Sequence, residues 1–201
     1  MTIWIMNIRF FLILLLVIGI PTMGLAKDAS APKKLGEFKG WQAYEASIGG
    51  HSTCYMMLRP NKQEYTKQDY KKAVAEKAKS KDKKKKTEPV AAKRSDVYMM
   101  ITFRPSESMS PVISYRSGYI FKQASEVLLS TGDKPFNLFT DRDQAWARSG
   151  AMDGAITNAV RKAKQVVIQG ISNDGGKSTD HFSPDGAENA YKAVIKACGI
   201  T

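Results

Sequence analysis

The chain has 201 residues, with 31 Lys and Arg against 19 Asp and Glu, which gives a formal net charge of +12 at pH 7. This length allows one domain with a substantial core. Only two histidines, His51 and His181, and two cysteines are present, and no His-x-x-x-His or Cys-x-x-Cys spacing occurs. The sequence therefore argues against a metal site, and we expect no cofactor.

The first 26 residues have the pattern of a secretory signal peptide. Arg9 precedes an apolar run from Phe10 to Ile20, and small residues follow at Gly24 and Ala26. The run is shorter than the roughly 20 residues that a membrane span needs, which favours cleavage near Ala26. Because the residues before Arg9 are also fairly apolar, an uncleaved N-terminal anchor is the alternative.

The two cysteines lie near opposite ends of the predicted mature chain, at Cys54 and Cys198. In an exported protein, two cysteines most simply form one disulfide bond, so we predict that this pair is joined. The alternative is a catalytic thiol at Cys54 with His51 as its base. That reading needs a residue to orient the histidine, and the sequence shows none.

Positive charge is concentrated between residues 62 and 94, which we call the basic segment. This segment has 13 Lys and Arg and 5 Asp and Glu, a net charge of +8. We predict a solvated insertion or loop here, with a frayed helix as an option for its first half, because like charges repel and little can be buried. The stretch lacks the interleaved aromatic residues of a single-strand nucleic-acid binder. The candidate residues for binding an anionic surface are Lys71, Lys72, Lys77, Lys79, Lys81, Lys83, Lys84, Lys85 and Lys86. The alternative is a charged loop without a dedicated partner.

Short apolar runs separated by turn residues predict a mainly β domain. Two similar strands, Cys54–Pro60 and Val97–Pro105, flank the basic segment and are expected to pair antiparallel. In the second, alternation places Val97, Met99, Ile101 and Phe103 on the core face. Further strands are predicted at 112–116, 119–121, 126–130, 136–139 and 144–147.

A helix is predicted over Met152–Lys164. It is followed by a hairpin, with its first strand at Val166–Ile171 and its second ending near Phe182, and by a C-terminal helix capped by Ser183. The hairpin carries a glycine-rich turn and Lys177-Ser178, but the glycine spacing does not fit a phosphate-binding loop and β-prone residues follow. Asp180 and His181 cannot orient each other, since adjacent strand residues point to opposite faces.

The fold class is therefore predicted as α+β and mainly β. We expect an antiparallel β-sandwich or barrel-like sheet of about eight short strands, with one inserted helix and a C-terminal helix packed on it.

Several segments together resemble the invasion-associated locus B (IalB) family. They are Arg104-Pro105, ISYRSGYIF at 113–121, FNLFTDRDQAWA at 136–147, VVIQGIS at 166–172, STDHFSPDG at 178–186, Ala197-Cys198 and GWQAY around Trp41. The resemblance implies a small exported protein of Gram-negative bacteria, associated with host-cell invasion and without a defined biochemical activity. The lysine-rich insertion departs from the family pattern, and Ala187 stands where the family tends to place an aromatic residue.

Together these observations favour an exported periplasmic or envelope protein that acts by binding rather than catalysis. Anionic lipid, lipopolysaccharide or an acidic host surface would be its partner, through the basic segment, and nucleic acid would not. The alternative is a small envelope hydrolase whose paired carboxylates meet only in the folded chain.

Overall fold

The computed structural model describes residues 31–66, 94–132 and 135–200. Their strands are β1 (Lys33–Phe38), β2 (Trp41–Ile48), β3 (His51–Leu58), β4 (Lys62–Thr66), β5 (Tyr98–Arg104), β6 (Ser108–Arg116), β7 (Glu126–Ser130), β8 (Pro135–Asp141), β9 (Gln144–Trp146), β10 (Val166–Ile171) and β11 (Lys177–Phe182). Their helices are α1 (Gly150–Lys162) and α2 (Ala187–Ala197).

The strands form one antiparallel sheet of 11 strands in the order β1-β2-β3-β5-β6-β9-β8-β7-β10-β11-β4. The α+β, mainly β class is confirmed. The expected sandwich or barrel-like sheet of about eight strands differs in detail, because all 11 strands belong to one sheet that is open between β1 and β4. Strands β1, β2 and β4 were not predicted from the sequence. The two outer strands are short and polar, so their apolar alternation is weak. The predicted strand at 119–121 makes only an isolated bridge from Phe121 to Ser172.

The predicted antiparallel pairing of the strands that flank the basic segment is confirmed, with Met56 of β3 opposite Ile101 of β5. The connection between them is more than a hairpin loop. Its first residues form β4, which crosses to the far edge of the sheet and pairs with β11. The segment predicted as an insertion therefore begins with a strand.

One face of the sheet supplies the core. Val97, Met99, Ile101 and Phe103 are all buried, as their alternation predicts, whereas Tyr98 on the opposite face is only partly buried. Helix α1 packs against β6, and helix α2 packs against β1, β2 and β3. The buried apolar residues of both helices join the same core.

The two helices begin differently. Helix α1 begins at a conventional cap, because the Ser149 hydroxyl accepts a hydrogen bond of 3.3 Å from the Met152 amide. The predicted Ser183 cap of α2 is wrong. Gly186 occupies that position with a left-handed φ of 87°, and a Cβ there would lie 2.2 Å from the Phe38 carbonyl oxygen. Close approach of β1 to this turn therefore selects glycine.

The predicted disulfide bond between Cys54 and Cys198 is present, with 6.0 Å between the two Cα atoms. It joins the centre of β3 to the end of α2 across 144 residues. Since the Cys54 sulfur is bonded, the alternative of a catalytic thiol at this position is excluded in the oxidised protein. Neither described helix is long and apolar enough to cross a membrane.

Candidate functional site

The lysines of residues 71–86 lie outside the described residues, but the structure fixes both ends of the stretch that carries them. On the entry side, Thr66 at the end of β4 pairs with Lys177 of β11. On the exit side, Arg94 donates a hydrogen bond of 3.2 Å to the Gln63 side chain of β4. The two residues that border this stretch, Thr66 and Arg94, thus both contact the β4–β11 edge of the sheet.

A buried ion pair with Asp180 holds Arg94, the first described residue after the lysines, in place. The side chains of Arg94 and Asp180 are 3% and 0% exposed. Arg94 Nη1 lies 2.9 Å from one Asp180 oxygen, and Nη2 bonds the other, so the contact is bidentate. Burial acts to lower the pKa of Arg94, but the hydrogen bonds and charge of Asp180 outweigh it and the pKa is raised. The cation therefore stays charged inside the domain.

Asp180 is buried because of its place in β11. Ser178, Asp180 and Phe182 alternate onto the core face and are all buried, while His181 points the other way. The Tyr115 hydroxyl also donates to Asp180. Burial, followed by the charge of Asp180, raises the pKa of Tyr115 well above its usual value, so the phenol remains a donor.

Two further tyrosines enclose the guanidinium. Arg94 lies 5.9 Å from the ring centre of Tyr65 and 5.8 Å from that of Tyr119, within the range of a cation–π contact. The Tyr119 hydroxyl is 2.6 Å from that of Ser178, and burial raises the pKa of Tyr119 to about 12. The Tyr65 hydroxyl is 2.9 Å from that of Ser172. We call Arg94, Asp180, Tyr65, Tyr115 and Tyr119 the latch cluster.

The glycines that suggested a phosphate-binding loop make room for this cluster. A Cβ on Gly176 would lie 2.4 Å from the Tyr65 hydroxyl, and one on Gly170 would lie 2.6 Å from the Tyr119 hydroxyl. The hairpin prediction is confirmed, since β11 begins at Lys177 where a phosphate loop would begin a helix. These two glycines therefore leave the space that the hydroxyls of Tyr65 and Tyr119 occupy.

The histidines are apart from the latch cluster. His181 Nδ1 lies 3.0 Å from the Gln165 amide nitrogen, and its Nε2 lies 3.8 Å from Glu64. It borders a shallow hollow of about 370 Å³ that Lys164 and Ser183 also line. His51 is exposed at the start of β3. Among the described residues, no three His, Cys, Asp or Glu side chains are grouped to hold a metal ion.

Sequence reasoning missed the latch cluster, although one signal was present. A charged residue, Asp180, stands at an inward position of a strand, and such a residue needs a buried partner of opposite charge. The partner, Arg94, was counted only as the last cation of the basic segment. Its contact with a residue 86 positions away becomes visible only once β4 and β11 are paired.

Comparisons with family models, curated proteins and solved structures found no match to this chain. The resemblance to the IalB family therefore stays a prediction carried by the quoted segments. The charge distribution of the sequence and the geometry of the described residues are therefore the observations that bear on function.

Proposed function

We propose that this is an exported periplasmic or envelope protein of the invasion-associated type that binds an anionic surface through the lysines of residues 71–86. Lipopolysaccharide and anionic lipid are the partners with the required charge. The proposal treats the protein as a binding module.

One observation carries the proposal: the described residues at both ends of the basic segment contact the same edge of the sheet. Because β4 pairs with β11 and Arg94 is fixed by Asp180, the net charge of +8 from residues 62–94 is attached at a single edge of the domain. The rest of the chain after Ala26 carries only +3. Each lysine close to an anionic membrane contributes about 1 kcal/mol, so clustering matters more than total charge.

The described sheet is also continuous without residues 71–86. Strands β3 and β5 are direct neighbours, and every described strand has its partner among the described residues. Deleting residues 71–86 should therefore leave the melting temperature within about 2 °C of wild type, since surface changes usually alter stability by less than about 0.5 kcal/mol. Loss of folding would show that these residues pack on the domain.

The binding test compares two sets of four lysines. Changing Lys83, Lys84, Lys85 and Lys86 to Gln should weaken binding to anionic vesicles or lipopolysaccharide by about tenfold or more, measured by co-sedimentation. A control protein carries the same change at exposed lysines elsewhere, Lys33, Lys122, Lys192 and Lys196. The control should bind nearly as well as wild type, and added salt should weaken binding.

Equal losses in the two variants would contradict the proposal, because binding would then follow total charge alone. Absence of binding to both vesicles and lipopolysaccharide would also contradict it. The alternative of an envelope hydrolase has no observation in its favour among the residues that the structure describes.

A further inference from the structure

The disulfide bond lies where the apolar core meets a polar hollow. On the core face of the sheet, Lys33 lies opposite Glu45, Glu45 opposite Cys54, and Cys54 opposite Phe103. Cross-strand partners share a face, so this row runs from an exposed lysine to a phenylalanine that is only 1% exposed. Lys33, Glu45 and Ser52 line a shallow hollow of about 470 Å³. Cys54 therefore stands at the inner border of this hollow.

The two cysteines of the bond differ in burial. Cys54, at the centre of β3, has no exposed surface. Cys198, which caps the end of α2, is partly exposed. Towards the core, α2 covers the sheet through Tyr191, whose ring packs edge-on to that of Phe103 with 5.7 Å between the ring centres. A reagent in solution therefore reaches the bond from the Cys198 end.

Ser52 stands on the open side of the Cys198 sulfur. It is exposed, and its hydroxyl oxygen lies 4.0 Å from that sulfur. Ser52 and Cys54 are two residues apart in β3, so their side chains point to the same face at a spacing of about 7 Å. The Cys198 sulfur, bonded to Cys54 and in contact with Ser52, lies between them. A thiolate attacks one sulfur of a disulfide from the side opposite the other sulfur, which for Cys198 is the Ser52 side.

We propose that the Cys54–Cys198 bond is a thiol–disulfide exchange site that a dithiol reductant enters at Cys198. A thiolate of the reductant forms a bond to the Cys198 sulfur, and the S–S bond to Cys54 breaks. Cys54 leaves with the bonding electron pair and takes up a proton, since the apolar core does not favour a charged sulfur. The second thiol of the reductant then attacks its own sulfur in the mixed disulfide and releases Cys198 as a thiol. The reductant becomes a cyclic disulfide, and the protein gains two electrons and two protons.

The position of Cys54 determines why the reductant is a dithiol. Strand β3 is paired on both sides, with β2 and with β5, so Cys54 stays beside Cys198 after the first step. Attack by Cys54 would expel a monothiol and restore the bond. A dithiol completes the exchange because its second thiol reacts within the same molecule, at a high effective concentration. This reaction goes beyond the anionic binding proposed above, since it uses the β1–β3 end of the sheet and covalent chemistry.

The first test compares the two cysteines one at a time. Cys198 is the remaining thiol in Cys54→Ser, and Cys54 is the remaining thiol in Cys198→Ser. In the native proteins, dithiodipyridine, an uncharged reagent, should react at least about tenfold faster with Cys198 than with Cys54, because access to the sulfur limits the rate. In urea the two rates should agree. Thermal unfolding checks that each variant folds.

The second test uses the wild-type protein, in which folding is not disturbed. Brief treatment with β-mercaptoethanol and acid quenching should give a mixed disulfide on Cys198 and a free thiol on Cys54, identified by peptide mass spectrometry. Ser52→Leu should slow reduction by dithiothreitol about tenfold, because the larger side chain stands in the path of the thiolate. Ser130→Leu is the matched control, a partly exposed serine at the end of β7, and should leave the rate unchanged.

Several results would overturn the proposal. They are an adduct on Cys54, equal native reactivity of the two single cysteines, equal rates for the Ser52 and Ser130 variants, and no reduction of the native wild-type protein by dithiothreitol. The exchange should be unaffected by the substitution of Lys83, Lys84, Lys85 and Lys86, so its failure is distinguishable from a failure of the proposed anionic binding.

Discussion

The two ends of the sheet are held by different chemistry. At the β1–β3 end, α2 covers the core and the Cys54–Cys198 bond ties it down. At the β11–β4 end, the buried ion pair of Arg94 and Asp180 holds the edge strand and the exit of the basic segment. The disulfide bond needs only two cysteines. The buried ion pair also needs the surrounding tyrosines and glycines and one particular strand register. It is therefore harder to recognise in the sequence and easier to disrupt by substitution.

The largest effect is expected at the covalent end. Replacing both Cys54 and Cys198 with Ala should lower the free energy of unfolding by about 4–5 kcal/mol in the chain-entropy model, since the bond closes a loop of 144 residues. Urea unfolding measures this loss. Reductant should destabilise wild type by a similar amount and leave the variant unchanged. A loss below about 1 kcal/mol would show that packing of α2 alone holds this end.

The ionic end should come next. Arg94→Ala should cost about 3–5 kcal/mol, because Asp180 would remain as an unpaired buried charge. Adding Asp180→Ala to this variant should recover part of the loss. The exposed pair of Arg59 and Asp96 is the matched control, with side chains 56% and 49% exposed.

Arg59→Ala should therefore cost less than about 1 kcal/mol. Chemical denaturation at pH 7 compares the two arginine variants. Equal losses would mean that burial does not distinguish the two ion pairs and would contradict the role of the latch cluster.

The smallest expected effect concerns the carboxyl group of Asp153, which belongs to neither the disulfide end nor the ion-pair end of the sheet. Asp153 in the first turn of α1 accepts a hydrogen bond of 2.8 Å from the Ile113 amide, and burial raises the pKa of its carboxyl despite that bond. The folded state therefore favours the protonated acid. Ionisation of Asp153 therefore destabilises the folded protein. This destabilisation is absent below the unfolded pKa of about 4 and is complete above the raised folded pKa.

Asp153→Asn should thus raise the melting temperature by about 1–2 °C at pH 7, since the amide oxygen can still accept the hydrogen bond. The difference should vanish near pH 3. Calorimetry at the two pH values measures it. A variant that is less stable at neutral pH would show that the charge of Asp153 stabilises the start of α1.

The parts of the fold that were predictable depend on local pattern. β7 and β10 were predicted with their observed bounds, and the inward residues of β5 followed from alternation alone. The disulfide followed from the cysteine count. Strands β1 and β4 were not predictable in this way, because an edge strand is identified by its partner and its own side chains are mostly polar.

The candidate sites were predictable only in part. The cysteine count predicts the disulfide bond, but which of its two sulfurs is accessible depends on where α2 ends on the sheet. Likewise, the latch cluster joins residues from three distant segments. Spatial neighbours of this kind arise from long-range strand pairing, which local sequence does not encode.

The crossing of β4 also determines the order in which the chain can fold. Tyr65 is synthesised long before its partner Ser178, and Cys54 long before Cys198. Strands β3, β5 and β6 can pair early, whereas β4 has no neighbour until β11 exists. Such distant pairings slow folding because loop closure precedes any stabilising contact. In the finished sheet β4 is an edge strand, and its charged side chains Lys62 and Glu64 oppose pairing of that edge with another chain.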